Sequence, residues 1–180
     1  MKKVFLKIIL VCFGIFLISG CQRDDLCAES TDTTPLLIIK FFDIEEPEES
    51  RSPTNLRVWD PERDTILIDR ENVDSIAIPL KTFEDNTEYA FTINAREIDE
   101  EEEEDEDDDD TNTLIPNTDI LRFSYGREQV YVNRACAYKV IYSGLRLNLD
   151  AGEDEAWIQT YTIEQTEVED ETNRHISIFY

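Results

Sequence analysis

A single histidine, His175, serves the whole chain of 180 residues. A Ser/His/Asp or Cys/His hydrolase would have to be built on that one ring. No Gly-x-Ser-x-Gly occurs to hold a nucleophile. By parity His175 lies opposite Ile176, Ile178 and Tyr180, and it reads as a surface or packing residue. Zinc fails for lack of ligands, since one His and two cysteines expected to be oxidised are too few for a tetrahedral site. Bases are scarce: 17 Lys+Arg stand against 42 Asp+Glu, a formal charge of −25. A field of that sign repels phosphates and anionic lipid, which argues against nucleic-acid binding. Past residue 20 no segment carries apolar residues at helical spacing over three turns. There is no internal repeat and no linker to a second domain.

The first twenty residues differ from the rest. Lys2, Lys3 and Lys7 form a positive start, and Val4 to Ile18 is apolar apart from Lys7, Cys12 and Gly14. Ser19 and Gly20 are small. This is the three-part pattern of an export signal, read here as a signal helix over 1–20. The run is too short to cross hydrocarbon, which takes roughly 20 apolar residues. Leu17-Ile18-Ser19-Gly20-Cys21 is similar to the lipobox of bacterial lipoproteins. It implies cleavage before Cys21 and acylation there, so that the partner of the chain is a membrane. One acyl chain holds weakly and two or three hold permanently, each buried methylene contributing about 0.8 kcal/mol. Gln22-Arg23-Asp24-Asp25 is similar to the acidic tags that send lipoproteins of the Bacteroidota to the cell surface. The expected location is the outer membrane, surface-exposed in preference to periplasm-facing.

Removal of 1–20 removes three lysines and no acid, leaving 14 bases against 42 acids, a charge of −28. Asp99 to Asp110 are twelve consecutive acids. Without them 30 acids remain against 14 bases, so the folded part is acidic as well. Adjacent like charges repel and cannot all be paired, so 99–113 is expected to be a disordered loop inserted in a connection. Calcium sites place oxygens at alternate positions around a sharp glycine turn. The run has neither feature, and weak cation association is the most it is expected to show. With Cys21 consumed by lipid, Cys27 and Cys136 are left as an even pair. An oxidising compartment favours a disulfide between them over two free thiols.

Residues 21–34 are polar and aperiodic and read as a flexible tether. From 35 to 180 the texture is that of strands. Leu36 to Phe42 is a continuous apolar run, expected to be covered on both faces. Shorter candidates are Leu56–Trp59, Ile66–Ile68 and Ile76–Leu80, the last placed at an edge or strand end by Pro79. Tyr89, Phe91, Ile93 and Ala95 alternate with polar neighbours, as do Leu121, Phe123 and Tyr125. Val130, Val132, Cys136, Tyr138, Val140 and Tyr142 share one parity. The parity shifts past Gly144, which suggests a bulge or turn. Trp157 with Tyr161 and Ile163, then Ile176 with Ile178 and Tyr180, complete eight to ten candidates. The expected fold is all-β: a single antiparallel β-sandwich, immunoglobulin-like or similar, over 35–180.

Cys21…Cys27, Pro35–Ile39 with Phe41-Phe42-Asp43, Asp74–Leu80 and Tyr131–Lys139 together resemble a family of uncharacterised Bacteroidota lipoproteins. Arg134-Ala135-Cys136-Ala137-Tyr138 is the most specific piece. Ala137 stands where the resemblance implies glycine. The family brings no activity or cofactor. It supports the anchor at Cys21 and the Cys27/Cys136 pair. Arg134 shares parity with Val132 and Cys136, which predicts an inward side chain paired with an acid.

Functionally, these readings converge on an outer-membrane lipoprotein with no catalytic residues, no cofactor and no metal, acting as a non-enzymatic binding or assembly accessory. An envelope protein remains open as a partner. The alternative is a surface carbohydrate-active or other hydrolytic lipoprotein. Acids are too abundant for sequence to single out a catalytic pair. Trp59 and Trp157 would have to form its sugar platform, although in a sandwich such residues more often belong to the core.

Overall fold

A computed structural model describes residues 26–28, 30–97, 114–151 and 155–180. The signal segment, Cys21 and the acidic run lie outside these. The described residues contain no helix long and apolar enough to cross a membrane. They contain nine strands: β1 Leu37–Phe42, β2 Leu56–Asp60, β3 Thr65–Glu71, β4 Ser75–Ile78, β5 Asn86–Ile93, β6 Asn117–Asn133, β7 Ala137–Asp150, β8 Thr160–Ile163 and β9 Ile176–Phe179. They form a four-stranded sheet, β4-β1-β9-β8, and a five-stranded sheet, β3-β2-β5-β6-β7. The fold is an all-β sandwich. The pairs β1–β4, β2–β3, β2–β5, β5–β6 and β8–β9 are antiparallel, whereas β1 and β9 run parallel with Ile39 opposite Ile176.

The chain divides into two compact units. The larger comprises Asp32–Val130 and Lys139–Tyr180 and holds the core. Alternation builds it. Leu37, Ile39 and Phe41 of β1 are wholly buried, as are Val58 of β2, Phe91 of β5, Leu121 and Phe123 of β6, and Ile176 and Ile178 of β9. Each such side chain contributes about 1.5–3 kcal/mol relative to exposure. On the opposite face of β1 Ile38 and Lys40 are half-buried and Phe42 is buried, so the continuous apolar run is covered on that side only toward its end.

Three tyrosines link the sheets. Tyr89 of β5, Tyr125 of β6 and Tyr142 of β7 donate to the carbonyls of Pro79 (2.9 Å), Lys81 (3.1 Å) and Leu80 (3.0 Å). These consecutive carbonyls follow β4, where Pro79 ends the strand at a sheet edge, as its missing N–H requires. Thr87 Oγ1 accepts from the amide of Lys81 and lies 2.5 Å from the Tyr125 hydroxyl. Burial pushes Tyr89 and Tyr142 up to about 12, and Tyr125 also upward, so all three remain donors.

The edges are managed individually. Edge strand β3 carries two register shifts against β2, with Arg70 at φ 55° inside one of them. Edge strand β7 bulges at Gly144, whose φ of 63° suits glycine, and both Tyr142 and Leu145 face inward across it. The chain after β8 covers that edge: Tyr142 and Val168 exchange amide bonds, and Leu145 N–H donates to the Thr166 carbonyl at 2.9 Å. Edge strands β4 and β8 are only four residues long. Trp157 precedes β8 and is not part of it.

The smaller unit comprises, within the described residues, 26–28, 30 and 31 together with Tyr131–Tyr138. Here the sequence parity misleads. Val130 to Tyr142 is no single run but the end of β6, a turn at 134–136 and the start of β7. Arg134 therefore lies in the turn and is exposed, not inward. Two strands are also much longer than the sequence suggests, β6 at 17 residues and β7 at 14.

Candidate functional site

The smaller unit is organised around Asn133. Its Oδ1 accepts from the amides of Ala135 (2.9 Å) and Cys136 (2.8 Å), an Asx arrangement that bends the chain without glycine. Ala137 then takes φ 59°. A three-residue hairpin loop closed by a left-handed residue usually has glycine there. The glycine that the family resemblance implies at 137 is thus the residue the backbone prefers, and Ala137 accepts the strain of its Cβ. Cys136 is bonded to Cys27, with their Cα atoms 4.9 Å apart and 109 residues between them in sequence. The disulfide expected from compartment and count is present. Tyr131 and Tyr138 stack edge to face at 5.4 Å. Both are exposed, as is Leu26 beside Cys27 in sequence.

Two buried polar groups mark the larger unit. His175, 1% exposed, is a packing residue. Its Nδ1 accepts from the Ile38 amide at 3.0 Å, and its own amide donates to the Ile38 carbonyl at 2.9 Å. The ring also bonds the Asp170 backbone. Burial lowers its pKa from the ordinary 6.5, so the ring stays neutral. The ring seats β1 against the residue that precedes β9. A general base must reach a substrate proton, and this nitrogen is occupied by backbone.

Asp119 is wholly buried on the core-facing row of β6, opposite Phe91 of β5. Its Oδ2 accepts from the Ile158 amide at 2.8 Å, and its carboxylate also bonds the backbone of Trp157. Trp157 Nε1–H donates to the Phe91 carbonyl at 3.0 Å. One rung of the β5–β6 ladder therefore holds the segment entering β8. Burial raises the Asp119 pKa above 3.8, against the two amides that lower it. Its Oδ1 has no partner, and neither has Oδ1 of Asn117 two residues earlier. The sequence carries a signal for this residue: Asp119 shares the parity of Leu121, Phe123 and Tyr125, an acid in an apolar row.

The remaining sequence candidates do not converge. Trp157 is 7% exposed and packs on Phe41 and Tyr180. Trp59 is half-buried and alternates with Val58, which places it on the outer face of the five-stranded sheet. The pair does not make a sugar platform. Among the described residues no three His, Cys, Asp or Glu side chains are grouped to hold a metal ion.

The geometry defines a class: an all-β sandwich with a disulfide-fastened hairpin turn and buried polar groups that serve the architecture. A model of a family of unknown function, DUF6452, matches residues 55–180, and the chain belongs to that family. The matched span includes Cys136 and Ala137 and begins after Cys27. No curated protein and no solved structure matches the chain.

Proposed function

We propose that the chain is an exported lipoprotein of the type found in the Bacteroidota, acylated on Cys21 and held on the outer membrane, exposed at the cell surface. It acts there as a non-enzymatic binding or assembly accessory. The observation that carries this reading is the Cys27–Cys136 disulfide. Such bonds persist outside the cytoplasm, where glutathione and thioredoxin do not reduce them. The bond also leaves Cys21 as the one remaining thiol of residues 21–180. Export and a free cysteine after Ser19-Gly20 are the two conditions acylation requires. The non-enzymatic part is supported by the occupied ring of His175 and the separate positions of Trp59 and Trp157.

The test is metabolic labelling with a fatty-acid probe. The full chain is expected to take up label and fractionate with membranes. Cys21→Ser is expected to abolish both, and mass spectrometry should place the mature terminus at residue 21. An unlabelled chain with residues 1–20 still attached would refute the anchor.

A further inference from the structure

We propose that the exposed Tyr131–Tyr138 pair of the smaller unit, together with Leu26, rests on the membrane–water interface of the bilayer that anchors the chain. The proposal depends on acylation of Cys21 and goes beyond it by assigning the surface that meets lipid.

Apolar exposure is the first argument. Seven large apolar side chains are exposed among the described residues, and three of them, Leu26 (84%), Tyr131 (58%) and Tyr138 (62%), belong to the smaller unit. Tyrosine suits an interface, since its ring partitions into the headgroup layer while its hydroxyl remains hydrated. Paired edge to face at 5.4 Å, the two rings present a preformed apolar surface.

Tether length is the second. Cys27 is six residues from Cys21. Even fully extended, six residues span at most roughly 20 Å. The disulfide passes this limit on to Cys136 and to the turn that carries the tyrosines. Without that bond the hairpin turn would be more than a hundred residues from the lipid along the chain.

Charge is the third. The chain carries −25, but the stretches 26–31 and 131–138 contain only Glu29 and Arg134 as charged residues. This is a neutral portion of an acidic protein. With no net charge of their own, these stretches add nothing to the repulsion that the acidic remainder meets near lipid phosphates. The contact is therefore with neutral or zwitterionic headgroups and is apolar in origin.

The experiment places tryptophan in the patch. Full-chain Tyr138→Trp, and separately Tyr131→Trp, is purified acylated and bound to phosphatidylcholine vesicles with ordinary or brominated acyl chains. Flotation reports anchoring, and bromine quenching reports contact. The emission added by the new tryptophan, relative to wild type, is expected to fall about twofold on brominated chains if the ring reaches the interface. Either variant suffices should the other fold poorly. Flotation without quenching in both variants overturns the membrane contact and assigns the patch to a protein partner, while the anchor survives. Failure to float overturns the anchor and this proposal with it.

Discussion

The larger unit and the smaller one are held together by different physics. In the larger, two sheets bury a contiguous apolar core, and even its polar interior is tied to backbone by Tyr89, Tyr125, Tyr142, His175 and Asp119. In the smaller, the large side chains face outward, and a covalent bond and one asparagine define the conformation. The thirteen described residues of the smaller unit cannot bury enough surface to offset the entropy of ordering them. A disulfide supplies what packing cannot. Side chains that need not fill a core are then available for an external surface.

The largest test of this contrast removes the bond. Cys27→Ser with Cys136→Ser is expected to cost up to about 4–5 kcal/mol, because the ring it closes spans over a hundred residues. Urea unfolding with and without reductant measures it. A loss below about 1 kcal/mol would mean the smaller unit does not depend on its bond.

Core truncation probes the other side. Phe91→Ala or Phe123→Ala is expected to cost about 3–5 kcal/mol in the same assay, whereas Tyr138→Ala, on an exposed ring, should stay within about 0.5 kcal/mol. Equal effects would erase the distinction between the two units.

Next come the buried polar groups. Asp119→Ala leaves the Ile158 and Trp157 amides without their acceptor and is expected to cost about 2–4 kcal/mol. It should also red-shift tryptophan emission as Trp157 becomes hydrated. His175→Ala strands the Ile38 amide, at about 2–3 kcal/mol. The pH dependence follows from the sign of each shift. The folded pKa of His175 is lowered, so its contribution is complete above 6.5. On acidification the unfolded chain takes up the proton first, and stability falls from 6.5 down to the folded pKa. His175→Ala should flatten that decline. Asp119 has the opposite sign. Its folded pKa is raised, so its carboxylate opposes folding above that pKa, and acidification toward 3.8 relieves the penalty.

The smallest expected effect belongs to the turn. Ala137→Gly should raise stability by about 1 kcal/mol, since it removes a Cβ from a left-handed residue. No gain, or a loss, in the unfolding midpoint would show that the turn does not carry this strain.

Much of the fold is legible along the chain because the period of two is a local signal. The alternation at Leu121–Tyr125, the strand end at Pro79 and the bulge at Gly144 appear as read, whereas the strand read over Tyr89–Ala95 ends at Ile93 and buries Ala90 and Thr92 as well as Tyr89 and Phe91. The turn at 134–136 was not legible. It lacks glycine, and Asn133 makes it through a side-chain acceptor that composition does not reveal. Residues on either side happen to preserve parity, and so Arg134 was read as inward. The candidate site was legible only where chemistry is counted rather than placed. Two cysteines in an oxidising compartment predict a bond, but the approach of Tyr131 to Tyr138 depends on the hairpin. Asp119 was visible as an anomaly in an apolar row, but its partners Trp157 and Ile158 are 38 and 39 residues away.

By itself, the sequence determined the strand content, the acidity and the cysteine pairing. Each of these follows from residue identity and near-neighbour spacing. The tertiary structure alone decided the parallel pairing of β1 with β9, the three tyrosines on Pro79–Lys81, and which aromatic rings are hidden and which are bare. These are contacts between residues far apart in sequence, chosen by how two twisted sheets close on one another.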